Sequence, residues 1–99
     1  MPLDYKDVMS HRSVASEEVT IEPAYLFSVV LTGAGVGASD AAVYDGSNTS
    51  GEPMLDLRAV VDMSVQLHFD PPLVFNRGIY VEKGSNVTSI VFQFFTIAD

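Results

Sequence analysis

From Ala24 to Ile97 one pattern repeats: short runs of Val, Ile, Leu, Phe, Tyr and Thr, each cut off by Gly, Pro, Asn or Asp. Branched and aromatic side chains fit a pleated, half-buried surface, and the interrupting residues supply the backbone conformations that turns need. The pattern predicts strands over 24–32, 40–45, 54–60, 63–69, 73–75, 78–83 and 87–97. Between them lie turn signals at 33–37, 45–51, 70–72, 76–78 and 83–86. The fold class that follows is all-β: an antiparallel β-sandwich, jelly-roll-like, of about seven strands.

The strands are of two kinds. In Met63-Ser64-Val65-Gln66-Leu67-His68-Phe69 apolar and polar residues alternate strictly, so one side faces a core and the other faces water. Leu55 and Leu57 against Asp56 and Arg58 repeat this. The runs Tyr25–Leu31 and Ile90–Ile97 are instead apolar on both sides. A central strand in a small sandwich still shows one side to the outside, so these two need cover from an arm, a long loop or another subunit. The candidate interface residues are therefore Leu26, Val30, Phe92, Phe94 and Phe95, joined by Tyr5 as a side chain for insertion into a neighbour.

Residues 1–23 hold Lys6, Asp7, His11, Arg12, Glu17 and Glu18 without a lasting period. They read as an N-terminal arm or short helix, ended by Pro23, ahead of a β-sandwich domain over 24–99. Asp4, Lys6 and Asp7 interrupt the apolar stretch a signal peptide requires, so export by that route is not expected.

Composition narrows function by exclusion. Thirteen acidic against five basic residues give a formal net charge of −8, with no basic cluster, so nucleic acid and anionic membranes are not expected partners. The chain is too apolar for a disordered tail, with 47% hydrophobic and 18% charged residues, and has no unbroken apolar run long enough to span a bilayer. Zero cysteines remove disulfides, thiolate nucleophiles and cysteine-held zinc. Only His11 and His68 offer base catalysis near neutral pH, and neither has triad spacing around it. The glycine-rich stretch Gly33–Gly37 leads from strand to strand and lacks the helix N-terminus that binds phosphate. Asp40, Asp45, Ser47, Asn48 and Glu52 gather around one long loop whose spacing fits no EF-hand; a solvated acidic loop is favoured over a weak divalent-ion site. The sequons at Asn48 and Asn86 mark exposed turns. No catalytic, cofactor or metal residue is expected, and the chain is read as no enzyme.

The order Val29-Val30-Leu31-Thr32-Gly33, Ala42-Val43-Tyr44-Asp45-Gly46 with Ser50-Gly51, and Phe69-Asp70-Pro71-Pro72-Leu73-Val74-Phe75-Asn76-Arg77-Gly78-Ile79-Tyr80-Val81 resembles small virion-associated β-sandwich proteins of tailed bacteriophages, the head decoration or cement type. The likeness covers residues 24–97 and consists of strand and turn patterns. It implies a structural protein on the outer capsid surface that binds the major capsid protein and reinforces capsomer junctions as a homo-oligomer, a trimer before a dimer. It implies no cofactor and no catalytic residue. The alternative is a receptor- or glycan-binding module of a phage tail or fibre, using loops 33–40 and 45–53.

Overall fold

The computed structural model describes residues 8–34, 37–50, 53–60 and 63–96. Eight strands follow one another: β1 (Met9–Ser13), β2 (Glu17–Thr20), β3 (Ala24–Gly33), β4 (Ser39–Asp45), β5 (Pro53–Ala59), β6 (Ser64–Phe75), β7 (Ile79–Lys83) and β8 (Val87–Thr96). They form two four-stranded sheets, ordered β1-β8-β3-β6 and β2-β7-β4-β5. Every registered pair is antiparallel, and β1 with β8, β2 with β7, β3 with β6 and β4 with β5 nest one inside the next. The chain is thus one long ribbon, doubled back at the β4–β5 connection and rolled so that successive pairs alternate between sheets. That is the jelly roll.

The expected strands over 24–97 appear with ends shifted by a residue or two, with one merger. Asp70-Pro71-Pro72, expected as a turn, is absorbed into β6 as a bulge: β3 advances from Leu26 to Ser28 while β6 passes from Leu73 to His68. Proline has no N–H to lend a ladder, and a bulge on an outermost strand is where that loss is tolerated.

The larger departure lies in the segment expected as an arm or short helix. Residues 9–13 and 17–20 are strands that complete one edge of each sheet, β1 beside β8 and β2 beside β7. Their polar sequences hid them, because an edge strand buries little and needs few large apolar side chains. Residues 1–7, with Tyr5, lie outside the described residues.

The core sits between the sheets. Ala24, Leu26, Val29 and Leu31 of β3 and Ile90, Phe92 and Phe94 of β8 meet Val43, Leu57, Ile79 and Val81 of the other sheet, all at most 3% exposed. Phe75 closes the end of β6 at 0%. Each such Val, Leu, Ile or Phe side chain contributes about 1.5–3 kcal/mol by leaving water. Between Leu26 and Val29 the alternation slips by one residue, so Phe27 and Ser28 fall at the bulge and the inward set resumes in register beyond it.

Candidate interaction faces

The alternation that fills the core also decides the two outer surfaces, and they differ in chemistry. On the sheet of β1, β8, β3 and β6, cross-strand registers define a hydroxyl row, Ser89–Thr32–Ser64, at one end of the outer face and three further outward rows beside it. One runs Phe95–Tyr25–Val74, the next Ser10–Gln93–Ser28–His68, the third Arg12–Val91–Val30–Gln66. At the first row the Tyr25 and Phe27 rings each lie 4.9 Å, centroid to centroid, from the Phe95 ring, in tilted contact. Such pairs add about 0.5–1.5 kcal/mol beyond area burial. Val74 remains 41% exposed beside them. In the middle row the buried Ser28 hydroxyl donates to Gln93 Oε1 at 2.9 Å, so the polar centre of the face is already paired. Arg12 is the one side chain of these three rows with a permanent charge.

On the opposite sheet the outward rows are Glu18–Tyr80–Tyr44–Pro53, Glu82–Ala42–Asp56 and Asp40–Arg58. Here four carboxylates face one guanidinium. Ala42 lies in a shallow depression of about 350 Å³, lined also by Asp40, Tyr44, Asp56, Arg58, Glu82 and Lys83. The Tyr44 hydroxyl donates to Glu82 Oε1 at 3.2 Å, and its ring meets Tyr80 edge to face. Burial first, and then the Glu82 carboxylate, push the Tyr44 phenol above its ordinary pKa.

A third feature ties the sheets together at the β1–β2 corner. Glu17 Oε2 accepts from Ser13 Oγ at 2.8 Å and lies 2.6 Å from His11 Nε2. The hydrogen bond from His11, then that from Ser13, holds the Glu17 carboxyl below the usual carboxylate range. This is not a nucleophile with its base: Ser13 is fully buried, and its hydroxyl bonds the carboxylate rather than the imidazole.

The interface residues expected from the sequence separate. Val30 and Phe95 lie half-buried on the outward apolar face. Leu26, Phe92 and Phe94, 0–3% exposed, belong to the core and have no surface to offer a partner. Runs apolar on both sides contain two sets, and only burial tells them apart. Tyr25, Phe27, Val74 and Val91 complete the outward set. Their signal was present in the two-sided apolarity, but the slip at the bulge scrambled which residues shared a side. His68 is exposed in the middle row, opposite Ser28.

The acidic loop has structural work to do. Asp45 accepts from the backbone N–H groups of Asn76 and Arg77, and Asp40 Oδ1 from that of Ser85. Glu52 lies outside the described residues, and among those described no group of three metal-ligating side chains gathers. Asn86 is likewise committed: its φ of 60° is left-handed, its side chain donates to the Ala38 carbonyl, and its own carbonyl accepts from Ser39 Oγ and Ala34 N. Asn48 is exposed, with its side chain accepting from Ser50 N. Among the described residues no helix is long and apolar enough to cross a membrane.

No protein-family model matches the chain, and no curated protein does. Among solved structures it is similar to the coat protein of Tobacco streak virus, with a TM-score of 0.38 and 10% sequence identity, over 94% of this chain and 89% of that one. So loose a superposition carries no argument of its own.

Proposed function

We propose that this chain is a non-enzymatic structural protein of virus particles, of the decoration or cement type. In this reading it binds the outer head surface through the major capsid protein, associates with copies of itself and stabilises capsomer junctions. One observation carries the reading: a jelly roll whose two outer faces divide the labour, one aromatic with a single permanent charge in its three rows, the other bearing four carboxylates. A cement protein needs a dry face for protein contact and an acidic exterior that keeps particles apart. Jelly rolls also serve as lectins, so strand order does not select the role. Attachment repeated over many symmetry-related sites makes shell occupancy high even when one contact is weak. Residues 1–7, including Tyr5, are assigned to contact with a neighbour.

The depression over Ala42 favours a second reading, a glycan- or receptor-binding module of a tail or fibre, since it sets Tyr44 among charged hydrogen-bonding groups. Copy number separates the two. Quantitative mass spectrometry of purified particles, with immunogold labelling, is expected to find many copies over the head. A few copies confined to the tail would overturn the cement reading, as would unchanged heat resistance of particles lacking the chain.

A further inference from the structure

We propose that the outer face of the β1-β8-β3-β6 sheet is the surface on which two copies of this chain pair, about a two-fold axis lying along the strands between β3 and β8. The inference rests on the structural-protein reading above and names its partner as a second copy.

Charge selects this face. Self-contact of the other sheet would set Glu18, Asp40, Asp56 and Glu82 against the same four groups with only Arg58 and, at the margin, Lys83 to offset them, whereas the apolar rows bring only Arg12. Like charges juxtaposed across an interface are strongly unfavourable. Size permits the contact: four strands about 4.8 Å apart, the central two of 10 residues rising about 3.3 Å each, give a face of about 600 Å², at the lower end of what each partner of a stable interface buries.

Row order selects the axis. A two-fold contact is self-complementary. An axis along the strands places each row on its own row: Phe95 and Tyr25 over the partner copy's aromatic end, Val91 over Val30, and Arg12 over Gln66, whose amide oxygen accepts from it. An axis across the strands would instead lay the aromatic end on Arg12. In the middle row Ser28 already donates to Gln93, and the axis sets the Ser10 hydroxyl of one copy over the partner copy's His68 imidazole, so the two remaining polar groups of the row face each other.

Analytical ultracentrifugation of the full chain over a concentration series tests this. The unaltered chain is expected to run as a dimer, and Val30→Arg to weaken association about a hundredfold by burying an unpaired guanidinium on the axis. Ala42→Arg, on the acidic face, is expected to leave association unchanged, with folding of both checked by circular dichroism. Because the chain has no cysteine, Val91→Cys introduces one thiol near the axis without disturbing the Ser28–Gln93 pair, and a short bis-maleimide is expected to link two copies. The pairing is overturned by a monomer at every concentration, by Val30→Arg folded and still dimeric, or by failure of the linker to join copies. If the unaltered chain is monomeric but folded Val30→Arg loses particle binding, the face belongs to the shell partner; if an N-terminal deletion of residues 1–7 exposes it, that segment covers it. Both results also overturn the pairing. A dimer that binds no particle would instead sink the cement reading and leave the pairing standing.

Discussion

The outer faces of the two sheets come from one alternation rule and reach opposite chemistries. In the sheet built on β3 and β8 the outward positions include Tyr25, Val30, Val91 and Phe95 around a Ser28–Gln93 pair; in the sheet built on β4 and β7 they include Asp40, Ala42, Tyr44, Tyr80 and Glu82. Both sheets fill the same core, so core packing does not explain the difference. A solvated sheet needs only one apolar side. The second apolar side of β3 and β8 goes beyond what a sheet with one solvated side needs, and the proposed pairing is placed there for that reason.

The largest test asks whether inward and outward aromatics in one strand are as unlike as the structure has them. Phe92→Ala, cut into the core, is expected to cost about 3–5 kcal/mol in urea unfolding. Phe95→Ala strips the outer face of the ring against which Tyr25 and Phe27 pack, and is expected to cost about 1 kcal/mol in dilute monomer. Equal costs would erase the distinction between the sides of β8.

Next comes the corner where the two sheets are fastened. Glu17 has its pKa lowered in the folded state, so its contribution to stability is complete above the ordinary carboxylate pKa and fades as pH falls through the depressed value. The groups are more than a third exposed, so the effect is expected below about 1 kcal/mol. Glu17→Gln should flatten that part of the acid limb in unfolding against pH; an unchanged limb would show that the corner does not join the sheets energetically. The smallest test sits on the acidic face. Ultraviolet titration is expected to show Tyr44 ionising above the ordinary tyrosine range, and Glu82→Gln to bring it partway back, burial keeping the rest.

How much of this was legible beforehand follows from what each residue must do. Strands over 24–97 were readable because alternation and turn residues act locally. β1 and β2 were not, because Met9–Ser13 and Glu17–Thr20 are strands only by virtue of the edges they pair with, far along the chain. Among the site residues, two-sided apolarity found the right strands, but assigning Leu26, Phe92 and Phe94 to a partner failed because it takes the bulge at Phe27 to say which way each points. The division between an aromatic and an acidic face had no local signal, since it depends on which strands become neighbours.

The nested pairing has a temporal consequence. The turn joining β4 to β5 closes the shortest loop, and each pair outward encloses a longer one, ending with Met9 against Phe94. Loop-closure entropy grows with separation, so assembly runs like a zip fastener from mid-sequence toward both ends. On a ribosome the strand synthesised first is then the last to find its seat, and the greasy flank of β3 stays open until β8 has emerged beside it.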